Sequence, residues 1–411
     1  MKGRTRIQES YLIGASMEQD LGGVPGHVYL ECRGTGIDLD KLRQAWREVL
    51  HLHGIDTPLN RYVACFDCAG LPQVEAEREI TQYRGAFAQR NTRTETGHSC
   101  GLALFRLPGG VDSLHFDLNL QVADPAGFQI LLGQLAQRYQ GHPVTLSPEG
   151  ADASQEPASL ADVAYWKAQV EQMRPGPILE QLRNPARMHH CRYQAAAAKL
   201  DAAQWGTVQE RAAKLGVLPT TLAMAAFADT LRAVTQEDFL LNLPVFHAEG
   251  SGVESPERIA DRTRLLTLAV RKTDQLADLF QRYQAGMEHI RLDGLEVQAM
   301  LRERYPEEHL LAPTVFSATP GVQLVTEAFQ ASFGALTYLV SQTPQVCLDA
   351  QIYELWDGAY LAWMTPEGLY EDTEIQRLFQ QWIERLLEES KKGNNDERNT
   401  VSDGNYGTEP A

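Results

Sequence analysis

The chain has 411 residues, of which 54 are acidic and 37 basic, so its formal net charge is −17. This excess of acid argues against a nucleic-acid binder, which needs a basic surface, and against a surface for anionic lipid. No run of about 18 apolar residues is present, and the first residues lack the apolar segment of a secretory signal. The six cysteines are too sparse for a disulfide scaffold, so we expect a reduced, cytoplasmic setting.

Two polar stretches divide the chain. Residues 142–159 are rich in proline, serine and acids, and we interpret them as the boundary between an N-terminal lobe, residues 1–158, and a C-terminal lobe, residues 159–390. From Lys391 onward the only sizeable apolar side chains are Val401 and Tyr406. Residues 391–411 are therefore predicted to form a disordered tail or linker.

The first lobe is predicted to alternate strands and helices. Residues 27–33 alternate apolar and polar side chains, which predicts a strand, and Asp40 is expected to cap the helix that follows. Residues 114–123 show the most regular alternation in the chain, and a helix with periodic apolar residues follows them.

The second lobe repeats this style. The pattern predicts helices over residues 204–215 and 220–234, a strand over 239–246, a long amphipathic stretch over 273–305, and strands near 314–318, 336–341 and 346–354. Interleaved strands and helices in both halves predict two α/β sandwich-like lobes.

The strand over residues 114–123 is one candidate for a site. We expect its polar face, which carries His115, Asp117, Asn119 and Gln121, to line a cleft, although the spacing alone favours a half-exposed strand with one wet face. Asp124 precedes a proline and an apolar helix, which is the pattern of an N-cap followed by proline at the first helical position.

A second candidate is QTPQVCLDAQ, residues 342–351. After Pro344 the alternation places Gln345, Cys347, Asp349 and Gln351 on one face, and a face with a carboxylate between two amides is suited to lining a site. The alternative is an edge strand with these residues turned outward, which Pro344 would also suit.

Other patterns indicate no chemistry. The dipeptide His189-His190 lacks the Asp-Gly of an acyltransferase motif, and we interpret both histidines as surface residues. Cys65 and Cys68 with His98 and Cys100 lack a second CxxC, so we expect no zinc site. The sequence contains no P-loop, GxGxxG after a strand, GxSxG or HExxH, which excludes most nucleotide, dinucleotide, serine-hydrolase and zincin functions.

Several stretches together match the motifs of one family. IQESYLIGAS…LGGVPGHVYLE, residues 7–31, has the Gln, Tyr and Gly of a first core motif at Gln8, Tyr11 and Gly14, with Ala15 in place of its Arg. Further matches are FQILLGQLAQRY, YWKAQ, LNLPVF, PTVFSA and the long SQTPQVCLDAQ. Over residues 7–388 the chain resembles the heterocyclisation domains of non-ribosomal peptide synthetases, a branch of the condensation-domain superfamily.

The chain departs from this family at several motif positions. Heterocyclisation domains carry DxxxxDxxS, whereas the aligned residues here are Asn119, Asp124 and Gly127, so only the second acid is kept. The family's VVFTS reads TVFSA, which places Ser317 where a threonine is expected, and its GDFTS reads ADRTR. The family's aspartate corresponds to Asp349.

The resemblance implies two chloramphenicol-acetyltransferase-like lobes that form a V-shaped pseudodimer with a central tunnel. It implies donor and acceptor peptidyl or aryl carrier proteins as partners, which present substrates on phosphopantetheine, and no cofactor of the domain's own. We expect a monomer that binds neither nucleic acid nor membrane. The implied reaction joins an acyl donor to the amine of Cys, Ser or Thr, then closes the side chain onto the new amide and expels water, giving a thiazoline or oxazoline.

The resemblance also assigns roles to a candidate catalytic set. Asp349 is expected to act as acid and base with Ser317 as its hydrogen-bonding partner, because cyclodehydration needs proton transfer at the amide oxygen. Asn119 cannot titrate, so it can only orient a group or form a hydrogen bond. Asp124 is expected mainly to cap its helix, and Gln345 completes the set.

Two alternatives stay open at this stage. The first keeps the fold but limits the chemistry to amide or ester formation without a ring, as the altered motif allows. The second is a non-catalytic pair of lobes that docks carrier proteins and has a decayed site. The retained Asp349, Gln345 and Ser317 hydroxyl favour activity. With no adenylation or carrier segment in it, the sequence fits either a free-standing domain or one taken from a larger synthetase.

Overall fold

Strands and helices alternate along both halves of the chain. The structure, a computed structural model, describes residues 5–16, 18–88, 99–144, 157–176, 179, 188–235, 237–246, 259 and 263–402. The elements of the first half are α1 (Arg6–Gly14), β1 (His27–Thr35), α2 (Leu39–Leu52), β2 (Val63–Asp67), α3 (Gln73–Phe87), β3 (Cys100–Arg106), β4 (Val111–Asn119) and α4 (Pro125–Tyr139). Those of the second half are α5 (Leu160–Val170), β5 (Tyr193–Asp201), α6 (Ala202–Leu215), α7 (Pro219–Thr235), β6 (Phe239–Phe246), β7 (Thr263–Val270), α8 (Leu276–Glu288), α9 (Gly294–Arg304), β8 (Thr314–Val325), α10 (Glu327–Phe333), β9 (Ala335–Gln342), β10 (Leu348–Leu355), β11 (Gly358–Pro366) and α11 (Asp372–Ser402).

The predicted elements are present, several with shifted ends. The cap of α2 is Asp38 rather than Asp40, because an Asp38 oxygen accepts from the backbone N–H groups of Asp40 and Lys41 at 3.0 Å. The strand predicted over 114–123 is β4, which ends four residues earlier, at Asn119. The long amphipathic stretch is two helices, α8 and α9, because Asp293 caps a new helix within it.

Two sheets organise the fold. The first lobe is built on a five-stranded sheet in the order β2-β3-β4-β1-β9, and the second lobe on a six-stranded sheet in the order β5-β11-β10-β8-β6-β7. Each sheet has its own apolar core. Trp46 of α2 packs edge-on against Phe116 in the first, with ring centroids 5.2 Å apart, and Trp363 stacks on Trp382 of α11 in the second. The predicted α/β fold with two lobes is confirmed.

One strand crosses between the lobes. β9 comes from the second half of the chain but pairs antiparallel with β1, from His27 opposite Gln342 to Arg33 opposite Ala335. The preceding helix α10 packs against α4 and β1 of the same lobe. The predicted boundary at residue 158 would place β9 in the second lobe, whereas β9 pairs in the sheet of the first lobe.

Two predicted segments fall at the edges of the described structure. The tail predicted from Lys391 begins inside α11, since that helix extends to Ser402. No proline interrupts this part of the chain, so local backbone hydrogen bonds can continue the helix. Residues 403–411, and most of the boundary stretch 142–159, lie outside the described residues.

Among the described helices, none is by itself both long and apolar enough to cross a membrane. Taken together, α6 and α7 pass the same test of length and composition, with a bend of 96° between them.

Gly334→Ala is predicted to lower the free energy of unfolding by about 2–4 kcal/mol, measured by urea denaturation. Gly334 precedes the exchanged strand with φ at 89°, and an added Cβ would lie 1.8 Å from the carbonyl oxygen of Arg33. Gly85→Ala in α3 is the control, because its Cβ would meet open space and alanine favours the helix. Similar losses of unfolding free energy in both variants would show that the close approach of Gly334 to the Arg33 carbonyl does not cause the loss.

Candidate active site

A cavity of about 170 Å³ is lined by residues of both lobes. Its walls are mainly apolar, with contributions from α1, β1 and α4 on one side and from β6, β8, α9 and β10 on the other. Polar side chains converge where β8, β9 and β10 approach one another: Ser317, Ser341, Gln345, Asp349, Gln351 and Tyr353. An apolar cavity with a few convergent polar groups is the usual form of a small-molecule site.

Strand β10 delivers the acid of this site. Alternate residues of a strand share a face, and Asp349, Gln351 and Tyr353 all face the cavity. The Ser317 hydroxyl donates to Asp349 Oδ1 at 2.8 Å, and Gln351 Nε2 donates to Asp349 Oδ2 at 2.6 Å. β10 lies between β8 and β11, so the alternative of an edge strand with these residues turned outward is wrong.

The Asp349 carboxyl is held away from water, with 6% of its surface exposed. Burial raises the pKa of Asp349 to about 6, and the hydrogen bonds from Gln351 and Ser317 act in the opposite direction. Burial also raises the pKa of Tyr11 and of Tyr353, and the charge of Asp349 adds to both shifts. Asp349 is therefore the group of this cluster that changes its charge near neutral pH.

Gln345 lines the cavity from the turn that precedes β10. Its φ of 66° breaks the alternation expected after Pro344, and its Nε2 donates to Gln19 Oε1 at 3.0 Å. Gly14 lies against this turn, since a Cβ there would be 3.2 Å from Pro344 Cγ and 3.3 Å from Gln345 Oε1. The first and last of the shared sequence motifs therefore meet at the cavity.

Asn119 and Asp124 are buried beside the cavity but are not among the residues that line it. The Asn119 side-chain oxygen accepts from the backbone N–H of Gln121 at 2.9 Å. Asp124 is the N-cap of α4, as predicted, with Oδ1 accepting from Gly127 N at 2.8 Å. Its Oδ2 accepts from Thr263 N of β7 at 2.7 Å, so this carboxylate also ties α4 to the sheet of the second lobe.

The polar face of β4 is buried, contrary to both expectations for it. His115 Nδ1 lies 2.6 Å from the Tyr29 hydroxyl, and its Nε2 lies 2.9 Å from the Ser113 hydroxyl. Glu31 on the neighbouring strand takes two hydrogen bonds of 2.6 Å from Arg84 of α3. Helix α3 covers this face, so it contacts neither the cavity nor water, and burial lowers the pKa of His115 to about 3.

The remaining candidates contribute nothing to the cavity. His189 and His190 are exposed, as expected, and His190 Nδ1 lies 2.8 Å from the carbonyl oxygen of Gly23. Cys65 is exposed while Cys68 and Cys100 are buried, and His98 lies outside the described residues. Within the described ranges, no three His, Cys, Asp or Glu side chains form a group able to hold a metal ion.

Sequence reasoning missed two contributors to the cluster. Ser341 Oγ accepts a hydrogen bond of 2.6 Å from Gln351 Nε2, and the Tyr353 hydroxyl donates to Gln351 Oε1 at 3.3 Å. The period-two alternation of β10 extends from Asp349 to Tyr353 and is the signal that would have found the tyrosine. Ser341 reaches the cluster only because β9 is exchanged, which no local pattern indicates.

Asp124→Ala is predicted to lower the free energy of unfolding by about 2–4 kcal/mol, because it removes a helix cap and leaves the buried N–H of Thr263 without an acceptor. Asp201→Ala is the control, since Asp201 caps α6 from an exposed position and should cost about 1 kcal/mol. Urea denaturation measures both. A fully stable but inactive Asp124→Ala protein would contradict the structural role and indicate a chemical one.

Gly127→Ser, which restores the serine of DxxxxDxxS, is predicted to destabilise the protein by about 2 kcal/mol or more. A Cβ at Gly127 would lie 1.7 Å from the carbonyl oxygen of Ile259, and this oxygen also accepts from Asp124 N at 2.8 Å. Gly133→Ser in the same helix is the control, because it meets open space and should be neutral or slightly stabilising. Equal melting temperatures for the two variants would show that Ile259 moves aside at little cost in stability, and would contradict this prediction.

The chain is similar in sequence to known proteins over most of its length. No family model matches the chain. Pyochelin synthetase PchE of Pseudomonas aeruginosa is 30% identical over 92% of this chain, and phenyloxazoline synthase MbtB of Mycobacterium tuberculosis is 28% identical over 93%. The chain spans only 28% and 29% of the lengths of these two relatives.

Solved structures share the fold. The EpoB cyclization-docking bidomain of a non-ribosomal peptide synthetase from Sorangium cellulosum superposes with a TM-score of 0.80 at 21% identity, covering 94% of this chain and 84% of that one. The condensation domain of the monacolin K polyketide synthase MokA gives 0.65 at 20% identity, covering 89% and 92%. The chain has the fold of these cyclization and condensation domains, and its predicted resemblance to them is confirmed at the level of the fold.

Proposed function

We propose that the chain is a heterocyclisation-type condensation enzyme of non-ribosomal peptide biosynthesis. It joins a carrier-bound acyl or peptidyl donor to a carrier-bound Cys, Ser or Thr and closes the product to an azoline. The observation that carries the proposal is the buried Asp349 carboxyl, which accepts a hydrogen bond of 2.8 Å from Ser317 on the wall of a cavity lined by both lobes. The similarity to a protein named phenyloxazoline synthase supports the same ring chemistry.

The condensation step needs two substrates held in line. The acceptor amine attacks the thioester carbonyl carbon of the donor, and the new C–N bond forms as the C–S bond breaks. The proton that the nitrogen loses is taken up by the departing thiolate, so the donor's phosphopantetheine leaves as its thiol. A cavity with walls from both lobes holds the two reacting ends together, and such placement makes the encounter effectively intramolecular. This step places no strong demand on a titrating side chain.

The ring-closing step needs protons to move. The acceptor's thiol or hydroxyl adds to the carbonyl carbon of the new amide, and its proton is lost as the carbonyl oxygen becomes a hydroxyl. That hydroxyl then takes a proton and leaves as water, while the amide nitrogen loses its proton to form the C=N bond. Asp349, whose pKa is raised to about 6 by burial, is suited to accept and return these protons near neutral pH. Ser317 holds one carboxyl oxygen in place.

The proposal includes two carrier proteins as partners, donor and acceptor, each bearing phosphopantetheine, with the domain acting as a cytoplasmic monomer. The net charge of −17 is in keeping with a protein that binds neither nucleic acid nor an anionic membrane surface. Gln345 belongs to the proposed set as a residue that shapes the cavity wall beside Asp349, while Asn119 and Asp124 act from behind that wall.

A second candidate function is amide or ester formation without ring closure. Its support is the replacement of the first acid of DxxxxDxxS by Asn119, whose side chain instead bonds the backbone of Gln121. The two candidates give products that differ by one water. A non-catalytic domain that docks carriers would give neither product.

Mass spectrometry of the carrier-bound products decides among these functions. A carrier loaded with an aryl or acyl donor is mixed with a cysteinyl carrier and the protein, and the species on the acceptor carrier are followed with time. The proposal expects an acylated product that is one water lighter than the linear amide. The linear amide alone would support the second candidate, and an unchanged acceptor would support docking without catalysis.

Asp349→Asn is predicted to form the linear amide while slowing ring closure by about 10²–10⁴-fold, because asparagine keeps the shape but cannot carry a proton. Ser317→Ala should slow closure less, and Ser317→Thr should stay near the parent rate because the hydroxyl is kept. Time courses that resolve the linear and cyclised products measure both steps. If Asp349→Asn loses both products in parallel, the carboxylate serves condensation or folding instead.

A further inference from the structure

One amide nitrogen joins the two lobes at the site. Gln351 Nε2 has two hydrogens, and it lies 2.6 Å from Asp349 Oδ2 on its own strand and 2.6 Å from Ser341 Oγ on β9. β9 belongs to the sheet of the first lobe, and β10 belongs to that of the second. Both hydrogens are therefore used, one within the second lobe and one across to the first.

The orientation of this amide is determined by its partners. A carboxylate can only accept, so the Nε2 end must face Asp349. The other end, Oε1, accepts from the Tyr353 hydroxyl at 3.3 Å. Gln351 is itself buried, with 2% of its surface exposed, so water does not compete for these bonds.

Three tyrosines on neighbouring elements respond to the charge of Asp349. They are Tyr11 on α1, Tyr193 on β5 and Tyr353 on β10, and burial raises the pKa of each well above its ordinary value. Arg302 of α9 and His309 line the same cavity. Asp124, the other carboxylate of this region, acts on Tyr11 and is bonded to backbone N–H groups. The hydrogen bonds from Gln351 and Ser317 are therefore the local interactions that favour the charged form of Asp349.

We propose that Gln351 is a positioning residue for Asp349. Through its bond to Ser341 it holds the Asp349 carboxylate at a fixed position relative to the first lobe, and this sets the pH at which the acid–base step operates. The inference rests on the proposed function for its effect on catalysis. Its effect on Asp349 itself is independent of that function. A lobe movement that separates β9 from β10 would break the bond to Ser341 and leave the Gln351 amide, which still donates to Asp349, without its anchor in the first lobe.

The test follows the titration of Asp349 by NMR of ¹³C-labelled aspartate side chains, with the Asp349→Asn protein used to assign the signal. Gln351→Leu removes a donor that favours the charged form, so the Asp349 midpoint should rise by about one pH unit. Ser341→Ala should raise the midpoint less, because the Gln351 amide still donates to Asp349 and loses only its own hydrogen bond to β9. Ser341→Thr should restore the parent value. The pH profile of ring closure should shift upward in parallel.

Gln342→Leu is the matched control. It removes a buried amide of the same size, one that bonds the Pro25 carbonyl and not Asp349. This variant should lose stability without moving the Asp349 midpoint. If Gln351→Leu behaves in the same way, the residue is only structural and the inference is wrong. A parent protein that forms no ring would overturn the proposed function but leave the NMR result as a valid test of the positioning role.

Discussion

The antiparallel pairing of β9 with β1 is the interaction on which the site depends. It takes a strand from the second half of the chain into the sheet of the first lobe, and the next few residues return to the second lobe as β10. Ser341 lies one residue before the end of β9, and Asp349 is the second residue of β10. The motif SQTPQVCLDAQ spans the crossing, so one short stretch of sequence both joins the lobes and supplies the acid.

A close backbone approach explains one departure from the family pattern, the glycine at position 127. Gly127 stands where a serine is expected, and the carbonyl of Ile259 occupies the space that a side chain there would need. Asp124 is kept because its two oxygens have separate tasks, the cap of α4 and the N–H of Thr263. Asn119 lies behind the cavity wall, where its side-chain oxygen accepts a hydrogen bond from the backbone N–H of Gln121.

Local periodicity made most elements predictable, while the errors came from contacts between distant segments. β6 and the helices α6 and α7 follow directly from the spacing of their apolar residues. The polar face of β4 is neither a cleft wall nor a wet face, because α3 covers it and Arg84 pairs with Glu31 there. Alternation along one strand indicates that its two faces differ, but not which other element covers them. Of the face expected for residues 345–351, Gln345, Asp349 and Gln351 line the cavity, whereas Cys347 packs in the apolar core, because the positive φ of Gln345 interrupts the alternation before the strand begins. Asp349 and Ser317 were identified through the family resemblance, whereas the role of Gln351 needed the exchanged strand.

The most direct test of the central claim supplies the ring-closing step alone. A carrier bearing a synthetic linear N-acyl-cysteinyl thioester is incubated with the protein, so that condensation is bypassed, and water loss is followed across pH by mass spectrometry. If Asp349 moves the protons, ring formation exceeds the protein-free rate by orders of magnitude, and its pH profile has a limb near pH 6 that is absent from the Asp349→Asn protein. Ring formation no faster than without protein, or a profile unchanged by Asp349→Asn, would contradict the account.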